Sequence, residues 1–171
     1  MFYEESAKIP FIIIPTAEYA QFGSYMTDDR LVELRDMMPT LLEMAGIPIP
    51  ATVEGVSLLS GRRREYVYGE HYEDDKATRM IRSGRFKLVY YSVGNRSQLF
   101  DMQEDPDELH DLAGDPGYAG VLAEHTQLLI DNLYGGDLEW LENGRLVGRP
   151  DKPFETFPNR GLNGQRGWRF L

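Results

Sequence analysis

Residues 78–116 read TRMIRSGRFKLVYYSVGNRSQLFDMQEDPDELHDLAGDP. Two runs rich in β-branched and aromatic residues, TRMIR and RFKLVYY, meet at Ser83-Gly84, which is a hairpin signature. A third run, QLFDM, follows Gly94-Asn95. Side chains alternate along a strand, so Phe86, Leu88 and Tyr90 share one face and Lys87, Val89 and Tyr91 the other. The first face is the expected core face, with Phe86, Leu88 and Leu99 buried and Lys87 exposed. Arg79 and Lys87 read either as a solvated strand face or as cations that reach an anionic ligand.

Working outward, Glu65–Glu70 (EYVYGE) reads as a preceding strand. Downstream, Asp101–Asp115 holds seven carboxylates and no Lys or Arg. Its spacing is not that of an EF-hand and no glycine stands where the sharp loop turn would need one, so these acids read as turn caps rather than calcium ligands. Asp115-Pro116 opens a helix by the cap-plus-proline pattern. Tyr118, Val121, Leu122, Leu128, Leu129 and Leu133 form its apolar stripe. His125 lies by that stripe and reads as packed rather than ligating. Gly135-Gly136 ends the helix, and residues 137–148 read as a hairpin on Asn143-Gly144. The expected fold class is α+β: an antiparallel sheet of about four strands from Glu65 to Asp101, with a helix from Pro116 to Leu133 across one face.

The N-terminal third reads differently. Phe11–Ile14 is an unbroken apolar run between Pro10 and Pro15, the pattern of a strand buried on both faces. Such a strand belongs to a larger sheet than this chain supplies, so the chain is expected to begin inside a domain. In Asp36–Pro48 (DMMPTLLEMAGIP), Asp36 reads as a helix cap, Pro39 as a first-turn residue, Gly46 as a left-handed cap and Pro48 as a stop. Pro39 argues against one long helix, so Leu31–Arg35 is expected to be extended. Residues 51–61 read as a connector with a turn at Glu54-Gly55. The expected division is 1–61, a strand, helix and connector; 62–134, the sheet and helix; and 135–171, a hairpin and irregular tail. Residues 158–171 carry three arginines and no acid. They cannot form a core alone, and Trp168 and Phe170 favour docking on a neighbouring surface.

The net charge of −10 argues against general nucleic-acid binding. The chain has no cysteine, which excludes disulfides and thiolate zinc sites. No apolar run approaches the roughly 20 residues that cross a bilayer, and no signal peptide is visible at Met1.

Several of these blocks, taken in order, resemble the sulfatases of the alkaline phosphatase superfamily. The blocks are Tyr3-Glu4-Glu5 with Lys8–Ile14, Asp36–Pro48, Arg79-Met80-Ile81-Arg82, Arg85-Phe86-Lys87-Leu88, Leu99-Phe100-Asp101, and Asp105–Pro116. The resemblance covers about residues 1–134 and implies the C-terminal portion of such an enzyme, with residues 1–61 a remnant of its α/β catalytic domain. It further implies sulfate-ester hydrolysis by a formylglycine made from a Cys or Ser in C/S-x-P-x-R, beside a calcium ion held by Asp and Asn. Both groups, and the family's active-site lysine, are expected in the missing N-terminal part. No Ser here sits in S-x-P-x-R, so no catalytic residue, metal ligand or cofactor is carried over to this chain.

A supporting role is still expected. The resemblance places this subdomain against the pocket rim, and Glu70, His71 and Tyr72 stand where a strand end feeds a polar loop, with Arg79 as a further substrate-binding candidate. His71 could donate to a sulfate oxygen or share a proton as the leaving group departs, or it could be an exposed loop histidine. The expected partners are the missing catalytic domain or a second copy of the chain, most simply a C2 dimer, and neither nucleic acid nor membrane. Two alternatives remain open: a non-catalytic binding or oligomerisation module, and part of a related phosphonate or phosphodiester hydrolase.

Overall fold

A computed structural model describes residues 2–14 and 27–152. The tail with Trp168 and Phe170 lies outside the described residues. The chain divides into two compact units, Ile9–Val67 on one hand and Met1–Lys8 with Tyr68–Leu171 on the other.

The larger unit is built on a four-stranded sheet in the order β1-β2-β3-β4, from β1 (Tyr66–His71), β2 (Thr78–Ser83), β3 (Phe86–Tyr91) and β4 (Arg96–Asp101). Strands β2 and β3 pair antiparallel with Ile81 opposite Leu88, and β3 and β4 pair antiparallel with Leu88 opposite Leu99. The expected hairpins are present. Gly94, at φ 80°, takes the left-handed position in the β3–β4 turn that a side chain would resist. Helix α3 (Ala119–Asn132) follows a 3-10 turn at Pro116–Tyr118, where the Asp115 carboxylate accepts from the Gly117 N–H at 2.8 Å. It lies against β2 and β3. His125 is buried there, with Nδ1 2.9 Å from the Val121 carbonyl and Nε2 3.0 Å from Ser83 Oγ. A short hairpin of β5 (Leu141–Glu142) and β6 (Arg145–Leu146) turns on Asn143 and Gly144, both at positive φ, as the Asn-Gly dipeptide requires.

On the expected core face Leu88, Tyr90 and Leu99 are buried, while Phe86, also expected there, is half-buried and edge-on to Tyr118 and His125. The expectation for the other face is overturned. Lys87 is 1% exposed, not solvated. The first residues of the chain, including the short helix α1 (Glu4–Ala7), cover this second face. Tyr3 donates to Gln98 Oε1 at 2.9 Å and meets Phe100 edge-on. Lys87 Nζ donates to the Phe2 carbonyl at 2.9 Å, binds Glu4, and lies 2.9 Å from Glu108 Oε1. An ammonium taken from water must be repaid by such partners. The acidic segment works largely as turn chemistry. Asp101 accepts from the Gln103 and Glu104 N–H groups, Asp105 from His110, and Asp111 from Ala113 and Leu99. Glu108 departs from that pattern by turning inward to Lys87.

In the smaller unit, helix α2 (Met37–Met44) ends in a Schellman motif. The Ile47 N–H bonds the Leu42 carbonyl, the Gly46 N–H bonds the Glu43 carbonyl, and Gly46 sits at φ 66°. The start differs from expectation. Leu34–Asp36 forms a 3-10 turn rather than extended chain, and Asp36, although at the N-cap position of α2, makes no side-chain cap bond to that helix; its carboxylate closes a capping box with Glu33 instead. Its buried carboxylate also accepts from the Val56 N–H at 2.7 Å and pairs with Arg64. Gly55 packs so closely that a Cβ there would meet the Arg35 carbonyl oxygen. Phe11–Ile14, read as a buried strand, carries no strand pairing, and Ile12 and Ile14 are 77% and 87% exposed. A strand needs a neighbour for its backbone N–H and C=O groups, and none of the described residues supplies one.

Two outcomes test these anchors. Lys87→Ala leaves Glu108 buried without its cation and should cost about 3–5 kcal/mol in urea unfolding. A loss below about 1 kcal/mol would mean the pair is not buried in solution. For Asp36, burial alone would raise its pKa, but Arg64 and the Val56 and Glu33 N–H groups outweigh burial and hold it below 3.8. That stability is present above the unfolded value and is lost as pH falls through the lower folded one. Acid unfolding of this unit should therefore begin below about pH 4, and Asp36→Asn should remove that limb.

Candidate functional site

The four candidate residues lie where β1 ends and β2 begins. Gly69, within β1, lets Phe2 and Met80 close over the strand, since a Cβ there would stand 2.8 Å from the Phe2 ring. Glu70 projects to solvent between two tyrosines, and each hydroxyl, of Tyr68 and of Tyr134, donates to one of its oxygens at 2.9 Å. His71 is half-buried, edge-on to Phe2 at 6.0 Å and to Tyr72 at 4.4 Å. Tyr72 is 64% exposed and sits at φ 57°, a left-handed conformation that a bulky residue seldom adopts. Asp74, two residues on, is at φ 54°. The loop thus holds two non-glycine residues in a costly backbone region, which persists only where surrounding contacts over-determine it.

Arg79 supplies those contacts from beneath. It is 1% exposed, which overturns the solvated-face reading. Nε and Nη2 donate to the two oxygens of Asp137 at 2.6 and 2.9 Å, a bidentate pair. Nη1 donates to the carbonyls of Tyr72 and Thr78 at 2.9 and 3.1 Å. The guanidinium also lies 5.1 Å from the Trp140 ring centre. Burial pushes Asp137 up, while the Arg79 guanidinium opposes it. Of the two expected fates for Arg79, its geometry serves an internal carboxylate.

On the outer side of the loop, Asp75 binds Lys152 and lies 3.6 Å from Arg149. The 148–149 segment is pinned in turn by the Arg149 N–H to the Ser92 carbonyl at 2.7 Å. The loop is therefore held by an inner buried pair and an outer exposed one.

The structure brings Glu70, His71 and Tyr72 to one strand end, with Arg79 beneath them. Sequence reading missed Asp137, Tyr134, Tyr68 and Phe2 as their partners. Asp137 carried one signal: an acid directly after Gly135-Gly136, where a 3-10 turn, not a strand, begins. A separate open cleft of about 560 Å³ lies between α3 and the β5–β6 hairpin, lined by apolar groups such as Leu122, Ile130 and Leu146. It has no cluster of catalytic side chains. Among the described residues no group of three or more His, Cys, Asp or Glu could hold a metal ion. No helix of the described residues is long and apolar enough to cross a membrane.

His71 gives this site a spectroscopic handle. Burial lowers its ring pKa below 6.5. Its contribution to stability is thus complete above the ordinary imidazole value and is lost as pH falls toward the lower folded one. Its NMR titration midpoint should fall below 6.5 in the folded chain and move up to the ordinary value in urea.

Comparison with known proteins places this chain in a family. The family profile of N-sulphoglucosamine sulphohydrolase, C-terminal, matches residues 1–133. The Delta 4,5-hexuronate-2-O-sulfatase of Bacteroides thetaiotaomicron is 39% identical over 146 residues, covering 77% of this chain and 30% of that protein. An arylsulfatase of Clostridium perfringens is 32% identical over 151 residues, covering 85% of this chain and 31% of its own length. The solved structure of a 2-O GAG sulfatase superposes with TM-score 0.52 and 40% identity, covering 56% of this chain and 23% of that one. The chain thus spans under a third of the length of these relatives. It belongs to the family of sulfatase C-terminal domains typified by N-sulphoglucosamine sulphohydrolase.

Proposed function

We propose that this chain serves as the C-terminal part of an enzyme that hydrolyses sulfuric esters. The supporting observation is the family match across residues 1–133, together with 39% identity to a sulfatase over most of the chain. Calcium and formylglycine, which the family's chemistry implies, do not fit the residues present. There is no cysteine and no serine in S-x-P-x-R, and the described residues offer no metal-binding cluster. In this reading both groups belong to the catalytic part, and no step of the chemistry is assigned to this chain.

What the chain's own residues offer is shape and hydrogen bonding at a pocket rim. His71, with its pKa lowered by burial, is neutral near pH 7 and presents one N–H and one lone pair rather than a cation. Glu70 is already oriented by two tyrosine hydroxyls. In the same reading the catalytic part covers the exposed Ile9, Ile12 and Ile14, and in its absence these residues drive self-association.

The test joins residues 1–152 to the catalytic part of the Bacteroides relative, replacing the matching region. The chimera should hydrolyse a sulfate ester, and the unjoined chain should show no turnover above background. Turnover by the chain alone that survives repurification and is lost with His71→Ala would overturn this reading. So would a folded chimera that is inactive.

A further inference from the structure

We propose that Arg79 and Asp137 form a positioning pair that sets the conformation of the 71–76 loop, and so the direction in which His71 and Tyr72 project. The substrate side of this inference rests on the reading above that the loop borders the pocket.

Three observations carry it. First, the loop is costly where the pair touches it. Tyr72 sits at φ 57° and Asp74 at φ 54°, and such residues persist only when neighbouring groups fix them. Second, the pair reaches the loop directly. Arg79 Nη1 donates to the Tyr72 carbonyl at 2.9 Å, and Nη2 lies 3.5 Å from Glu73 Oε2. Third, the guanidinium is itself fixed. Asp137 grips it through two oxygens, Trp140 lies across it, and both residues come from the 3-10 turn Gly135–Trp140, after α3. The planar fork of arginine meets both acceptors at once, which a lysine could not do. A buried pair serving stability alone would need only its own partner. Here one Nη1 donor is directed to the carbonyl of the strained residue, and the loop closes through the Lys76 N–H to the Glu73 carbonyl and the Ala77 N–H to the Asp74 carbonyl, both at 3.2 Å.

The outer contacts of the loop are of another kind. Asp74 and Asp75 face Arg149 and Lys152 from exposed positions, where salt screens such pairs. The inner pair is shielded from salt, so it is the part that keeps Tyr72 in place when ionic strength rises.

The experiment separates positioning from stability. The double variant Arg79→Met/Asp137→Leu replaces a buried ion pair with apolar groups of similar size, a change that is often neutral or stabilising, but it leaves the Tyr72 carbonyl without its donor. In the full chain, the thermal midpoint should stay near that of the wild type. Amide exchange at Lys76 and Ala77 should quicken about tenfold or more, and the His71 titration midpoint should rise. Should that variant fail to fold, Asp137→Asn keeps one acceptor and should show the same two changes in smaller degree. Unchanged exchange and an unchanged His71 midpoint in the folded variant would overturn the proposal. In the active chimera, the same substitutions should raise KM about tenfold with a much smaller change in kcat. An unchanged KM would confine the pair to shaping the loop and would refute its role toward substrate. A chimera inactive with the wild-type sequence counts against the sulfatase reading, while the exchange measurement still decides the loop.

Discussion

Two buried cations, one on each face of a four-stranded sheet, organise the larger unit. Arg79 in β2 points to the face covered by α3 and the turn after it, and Lys87 in β3 points to the face covered by the first residues of the chain. Each has left water, and each is matched by carboxylates from distant segments. Asp137 lies 58 residues from Arg79, and Glu4 lies 83 residues from Lys87. Removing one partner of such a pair leaves a bare buried charge, so the pairs dictate which segments must lie on the sheet. Apolar contacts supply most of the free energy of the core, while the charges fix the register in which the covers sit.

This arrangement explains why the end of β1 can hold an unusual loop. The sheet fixes Arg79, Asp137 fixes the direction of its guanidinium, and the guanidinium fixes the carbonyl of Tyr72. Residues in the left-handed region are then held from a rigid element rather than by the loop itself. His71 is kept half-buried between Phe2 and Tyr72 and is thereby biased to the neutral ring.

Much of this was legible in the sequence, and the reasons are local. Gly94-Asn95 and Asn143-Gly144 place positive φ where turns need it, Asp115-Pro116 opens a helix, and Gly46 closes one. Alternation along RFKLVYY separated the two faces correctly, but not their burial: both are covered, with Val89 and Tyr91 1% and 2% exposed and Phe86 only half-buried. The covers were not legible. Lys87 looks like a surface residue because its alternation partners do not reveal that residues 2–8 return to that face. Phe11–Ile14 failed for the opposite reason: its pattern describes a strand, but pairing needs a neighbour that the described residues lack. At the candidate site, the strand end carrying Glu70 and His71 was readable from its polar loop. That Arg79 serves Asp137 was not, because a bidentate pair across 58 residues leaves no periodicity. The resemblance, put at about residues 1–134, corresponds to a profile match over 1–133.

The most direct measurement of the central claim is 15N NMR of the Arg79 Nε–H and the Lys87 ammonium in the folded chain, with inorganic sulfate titrated in. Both groups should exchange slowly with water and should not shift with sulfate, because their donors already serve Asp137, Tyr72, Glu4, Glu108 and Phe2. Fast exchange at either group, or a saturable shift of Arg79 with sulfate, would contradict the account by showing a cation free to meet an anion.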